Sequence, residues 1–188
     1  MPTYDDALAL FHEWTQTDSL RRHGYAVEAA MAAYARLWDE DETAFRIAGL
    51  LHDLDYERHP SPDEHPRVGV AELERRGYPA DVRQAILAHA SYTGEPRETP
   101  LARALFAVDE LAGFVTAVAH VRPTGLEGLT AASVRKKLKD KRFAAAVSRE
   151  DVTEGAALLG VDLATHIETV ISGMQRDAAR LGFAPADG

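Results

Sequence analysis

The residues best suited to chemistry in this chain are His23, His52, Asp53, His65, His89 and Asp109. The densest group lies in IAGLLHDLDYERH (47–59), where an apolar helical run ends in His52–Asp53, followed by Asp55 and Glu57. A core helix has no need of an imidazole and three carboxylates at its end; a metal site does. Neutral imidazole nitrogens with carboxylate oxygens suit Mn, Fe, Co, Ni or Zn better than the all-oxygen shells of Mg or Ca. The chain has no cysteine, so thiolate ligands and disulfides are excluded. Asp109 adds a second argument. It interrupts the apolar run LFAVDELAG, where a carboxylate among Leu105, Phe106, Val108 and Ala112 is costly without a partner. For one such aspartate alone a salt bridge is the ordinary partner; a cation held by histidines of neighbouring helices is the other. One His-Asp dipeptide is equally weak by itself, and the weight comes from the order of all six positions.

The elements that must position these residues read as helix nearly throughout. YDDALALFHEWT places Leu8, Phe11 and Trp14 at helical spacing. Asp18 or Ser19 is positioned to cap a second helix that carries His23 near its start and an apolar stripe from Ala26 to Trp38. DETAFRIAGLLHDL is apolar over much of its circumference and ends at His52–Asp53. DYERHPSPDEHP, with three prolines, reads as a loop. His65 stands just before a short helix stopped by Gly77, and His89 near the end of the next, which Pro79 opens. Thr99–Pro100 opens a long helix containing Asp109 and closed by Pro123. The remainder is a looser stretch, a final helix LATHIETVISGMQRDAARLG, and a frayed tail at 183–188. No window alternates with period two. The fold expected is all-α, a compact single-domain bundle of roughly seven to nine helices, spanning 1–182, with the site-bearing core at 20–120 and a C-terminal helical part at 121–182.

The ordered set His23, His52–Asp53 and Asp109 resembles the HD-domain superfamily of metal-dependent phosphohydrolases, over about half the chain. The resemblance implies that these four residues bind a divalent metal. His65 and His89 fall where many members carry two further histidines for a second metal, as in the HDIG-like subgroup; HDLD here departs from His-Asp-Ile-Gly. The cofactor implied is one or two divalent transition metal ions, with Asp53 able to bridge two. The activity implied is hydrolysis of a phosphoester or phosphoanhydride of a small phosphorylated molecule, a nucleotide by resemblance, using a metal-activated water. Two other readings are a nucleotide-binding sensor that has lost turnover and a diiron oxygenase.

Around that site, Asp55 and Glu57 are candidates to orient the water or protonate a leaving oxygen alongside Asp53; Glu110 and Glu28 are weaker ones, Glu28 reading as a solvated residue. The basic run RKKLKDKR supplies Arg135, Lys136, Lys137 and Lys139 as candidate phosphate clamps, against the ordinary reading of a solvated helix face. Tyr92 and Arg97, just after His89, are candidates for a substrate entrance. His59 is an alternative to His65. The net charge of −9 argues against wholesale binding of nucleic acid. No run approaches the length of a membrane span, and the acidic start MPTYDDALALFHEWTQ lacks a basic n-region, so a cytoplasmic protein is expected.

Overall fold

The computed structural model describes residues 2–183. Nine α-helices occur among them: α1 (Tyr4–Trp14), α2 (Asp18–Trp38), α3 (Glu42–Leu51), α4 (Arg67–Arg75), α5 (Ala80–His89), α6 (Pro100–His120), α7 (Ala131–Leu138), α8 (Arg149–Leu158) and α9 (Leu163–Arg176). The described residues contain no strand. Apart from Phe183, the tail expected at 183–188 lies outside them. No described helix is long and apolar enough to cross a membrane.

Two long helices organise the bundle. α6 is apolar around most of its circumference, and its residues from Leu101 to Ala119 are largely buried; a helix of that kind belongs in the centre of a core. It packs against α2, α5, α8 and α9. Thr99 caps it, its Oγ1 accepting from the Ala102 N–H at 3.1 Å, with Pro100 in the first turn. α2 is rich in alanine, which favours helix and lets neighbours approach closely. Its strongest packing is against α3. Gly49 makes that approach possible, because a Cβ there would stand 2.9 Å from Glu28 Cα. This tight crossing brings the end of α3, with His52 and Asp53, up to His23 on α2.

Two sequence expectations change. α2 is not capped by Asp18 or Ser19; its N-cap is Thr17, whose side chain makes no capping bond. The looser stretch after Pro123 contains two ordered helices, α7 and α8. Gly155 lets α8 cross close to α6, since a Cβ there would meet Ala107 Cα at 2.7 Å. That crossing carries the start of α8 to the mouth of the site.

Candidate metal centre

The helix ends deliver the side chains one by one. His23 comes from α2, His52 caps the end of α3, Asp53 follows it, His65 precedes α4, His89 is the last residue of α5, and Asp109 lies midway along α6. All six converge. His23 Nε2 lies 3.0 Å from Asp109 Oδ1 and 3.2 Å from His52 Nε2, and His52 Nε2 is 3.3 Å from Asp109 Oδ1. Asp53 stands between two sets. Its Oδ2 faces His52 Nε2 at 3.4 Å and His23 Nε2 at 3.7 Å, while its Oδ1 faces His65 Nε2 at 3.3 Å and His89 Nε2 at 3.5 Å.

The outward nitrogens explain this orientation. His52 Nδ1 donates to the Gly49 carbonyl at 2.8 Å, and His89 Nδ1 to the Ile86 carbonyl at 2.6 Å. His65 Nδ1 donates to Asp55 Oδ1 at 2.7 Å. A carbonyl or carboxylate can only accept, so these three rings place their protons on Nδ1 and aim the Nε2 lone pair inward. Lone pairs and carboxylate oxygens crowded together repel one another unless a proton or a cation stands between them. With metal–ligand bonds of about 2.0–2.2 Å, the edges of a coordination polyhedron come to about 3.0–3.5 Å, matching most of the separations above. The groups His23–His52–Asp109 and His52–Asp53–His89 each have their candidate ligand atoms within 4.8 Å of one another.

Without a cation, protons take up the charge. Burial opposes a charged imidazole at His52, which is 1% exposed, but the Asp53 and Asp109 carboxylates outweigh it and raise His52 well above its ordinary value. Burial likewise disfavours charge on Asp53 and Asp109. The His52 ring, aided by His23 and, for Asp53, by His89, overrides it and holds both carboxyls well below the usual carboxylate range.

The centre floors a cavity of about 420 Å³ lined by His23, Asp53, His65, His89 and Asp109, with Tyr56, Tyr92, Phe106, Glu110 and Asp151 around them. Tyr92 lines the cavity and is 53% exposed, its hydroxyl donating to the His65 carbonyl. Glu110 lines the wall beside Asp109. Burial first, then the Asp109 charge, push its carboxyl up to about 7, against the Ser148 N–H that its Oε2 accepts at 3.0 Å.

Other candidates are placed elsewhere. Asp55 is fully buried and does not line the cavity; it accepts from His65 Nδ1 at 2.7 Å and from the Gly69 N–H at 2.6 Å, which holds the His65 ring in place. Glu57 is also corrected: its carboxylate accepts from the Gln16 and Thr17 N–H groups and the Thr17 hydroxyl, bracing the start of α2. Those bonds hold its pKa below the ordinary value. The basic run begins in the last turn of α7 and continues past its end at Leu138. Arg135, Lys136 and Lys139 are exposed, Lys137 sits over the Phe143 ring, and none of the four lines the cavity. Arg97 is behind the wall, stacked on Phe106 at 3.6 Å and donating to the Ala88 carbonyl and Ser91 Oγ. His59 pairs with Glu64 and is no substitute for His65. Glu28 is buried, not solvated, and pairs with Arg46 at 2.7 Å and Arg180 at 2.8 Å. Tyr56, Phe106 and Asp151 were missed; Asp151 comes from α8, far along the chain, with no local motif.

An all-helical bundle that gathers four imidazoles and two carboxylates at the floor of a cavity defines a helical protein with a candidate metal centre. The HD domain family model matches residues 20–113, half of the 188 residues. The chain belongs to the HD domain family, a family of metal-dependent hydrolases. No curated protein and no solved structure matches it.

Proposed function

We propose that the protein is a metal-dependent phosphohydrolase that cleaves a phosphoester or phosphoanhydride of a small phosphorylated molecule with water. The observation that carries this reading is the convergence of His23, His52, Asp53, His65, His89 and Asp109 at the floor of an open cavity. The donor set fits one or two divalent transition metal ions, with Asp53 Oδ2 turned to one set of nitrogens and Oδ1 to the other. A divalent ion held there supplies Lewis acidity toward water and phosphoryl oxygens near neutral pH. The protein's own contribution is rigidity: carbonyls of Gly49 and Ile86 and the buried Asp55 carboxylate fix three imidazoles before any ligand arrives. Glu110, rather than Asp55 or Glu57, is the carboxyl placed to exchange a proton with a leaving oxygen, since it lines the cavity beside Asp109.

The second pair of histidines supports an HDIG-like placement, and residues 1–182 act in this reading as one unit. The core at 20–120 bears the ligands, and 121–182 closes the cavity through Ala146, Val147 and Asp151. Among nucleotides, a monophosphate suits the wall, where the exposed Tyr92 ring offers a stacking face. A polyphosphate does not, because no lysine or arginine lines the cavity among the described residues. The test is phosphate release from a panel of phosphoesters by manganese-loaded protein. The wild type releases phosphate from at least one, and His52→Ala abolishes the release. Undiminished release by His52→Ala/Asp53→Ala contradicts the reading.

A further inference from the structure

Of the three imidazoles whose Nδ1 protons are held, His89 has the least secure support. Its Nδ1 donates to the Ile86 carbonyl, in the last turn of α5, and His89 is itself the last residue of that helix. The last four carbonyls of a helix have no partner within it, so this turn frays unless other groups take them. The backbone that follows does not: at Ala90 the chain leaves in an extended conformation, φ −87° and ψ 117°, with no cap N–H returning to α5. By contrast, His52 is oriented by Gly49, at the tight crossing of α3 with α2, and His65 by the buried Asp55.

Two side chains from the loop after α5 take up the remaining carbonyls. Thr93 Oγ1 lies 2.9 Å from the Leu87 carbonyl and 2.8 Å from that of Ala90. The Ala90 carbonyl already accepts the Thr93 N–H at 3.1 Å, which leaves the hydroxyl proton for Leu87. Arg97 Nε donates to the Ala88 carbonyl at 2.9 Å, and its Nη2 to Ser91 Oγ at 3.0 Å. A guanidinium at a helix C-terminus is favoured both by such bonds and by the helix dipole. Arg97 is itself fixed from two other helices. It stacks on the Phe106 ring of α6 at 3.6 Å, and Glu154 of α8 stands 3.6 Å from its Nη1, with Asp151 adding negative charge nearby. The loop's main chain is pinned too: the Arg97 carbonyl accepts from Arg103 Nε at 3.1 Å, and the Pro96 carbonyl from Gln84 Nε2 at 2.6 Å. The carbonyls of Ile86, Leu87 and Ala88 are thus answered by His89, Thr93 and Arg97 in turn.

We propose that Thr93 and Arg97 are positioning residues for the metal centre, acting through His89. They hold the last turn of α5 closed, so that the Ile86 carbonyl keeps the His89 ring turned with Nε2 toward Asp53 Oδ1, 3.5 Å away. The inference rests on the metal-centre reading above and concerns the nitrogens that Asp53 Oδ1 faces, those of His65 and His89. Neither Thr93 nor Arg97 lines the cavity, so their effect on the chemistry passes through the ligand they support.

The test is manganese affinity, read by calorimetry on the full chain stripped of metal, with circular dichroism showing that each variant is folded. Arg97→Met, which keeps an unbranched stem over Phe106 but no donor, should weaken binding about tenfold, the low end of what losing a ligand's support costs. Thr93→Val, matched in shape but without the hydroxyl, should weaken it about fivefold, the weight of one neutral hydrogen bond. Thr93→Ser, which restores the hydroxyl, should keep wild-type affinity. Glu28→Gln, which loosens the ion pairs with Arg46 and Arg180, should also bind as wild type does, separating ligand support from general destabilisation. Wild-type affinity in Thr93→Val or in a folded Arg97→Met, a Thr93→Ser as weak as Thr93→Val, or an equal loss in Glu28→Gln overturns the inference. A wild type that takes up no manganese overturns the metal-centre reading together with it. Manganese affinities that follow the expected order, with no phosphate released from any ester, support the inference and overturn the hydrolase reading alone.

Discussion

Two acidic clusters a few residues apart on α2, one buried and one partly open to the cavity, answer the same electrostatic problem in opposite ways. Glu28 is 0% exposed, and its carboxylate is met by two guanidinium groups: Arg46 Nε and Nη2 donate to Oε1 and Arg180 Nη1 to Oε2. Arg180 also donates to the Tyr4 hydroxyl and lies over the Tyr25 ring, so the cluster ties the chain beyond α9 back to α1, α2 and α3. Every charge there has a partner from the protein. Five positions earlier, His23 opens a cluster whose carboxylates, Asp53 and Asp109, face imidazoles and, among the described residues, no guanidinium. The first cluster is closed and structural. The second is incomplete without a proton or a cation, and it opens on a cavity. A buried acid indicates function when the chain supplies no permanent positive charge to match it.

The comparison can be broken in several ways, beginning with the largest effect. Asp53→Ala, which removes the one side chain that faces both nitrogen sets, should reduce metal-dependent phosphate release below detection while the protein remains helical by circular dichroism. Activity close to wild type would remove the distinction between the clusters. Glu28→Ala should do the reverse. Stranding two partly buried guanidinium groups should cost about 2–3 kcal/mol of stability, at the low end for a broken buried pair because both arginines reach solvent. In a chain of this length that lowers Tm by roughly 5–10 °C, with bound metal unchanged. An unshifted melting curve would show that the closed cluster does not bear on stability.

A smaller effect sharpens the boundary between ligand and support. Asp55→Asn leaves every candidate ligand in place but weakens the hold on His65, and it should lower metal affinity by about 10–100-fold, as such supporting carboxylates do. Affinity equal to wild type would mean that His65 needs no positioning. The smallest effect is a pH dependence. His52 is raised above its ordinary value in the metal-free protein, so it carries a proton that a metal must displace. Metal affinity should therefore rise with pH up to the raised His52 value and fall as pH drops below it, with proton release measurable in weakly buffered solution. Binding without proton release would contradict that assignment.

The candidate centre was legible in sequence where helix punctuation was legible. His52 at a helix end, His65 ahead of a helix, His89 closing one, and Asp109 inside an apolar run are all positions set by local pattern. What was not legible depends on side-chain direction across helices. Asp55 and Glu57 follow the His52–Asp53 pair closely, yet one turns inward to His65 and Gly69 and the other outward to the start of α2. Glu28 read as solvated because its partners lie on α3 and beyond α9, 18 and 152 residues away. The basic run stands out by composition, which says nothing about where α7 sits. Asp151 had no signal, because only the close crossing at Gly155 brings α8 to the cavity.

The most direct test is elemental analysis of protein purified without chelator, comparing wild type, His52→Ala/Asp53→Ala and Glu28→Gln. Near-stoichiometric divalent transition metal in wild type and Glu28→Gln, lost in the double variant, is the predicted result. Metal-free wild type that takes up no added manganese, or equal metal in the double variant, would contradict the assignment of this cluster as a metal centre.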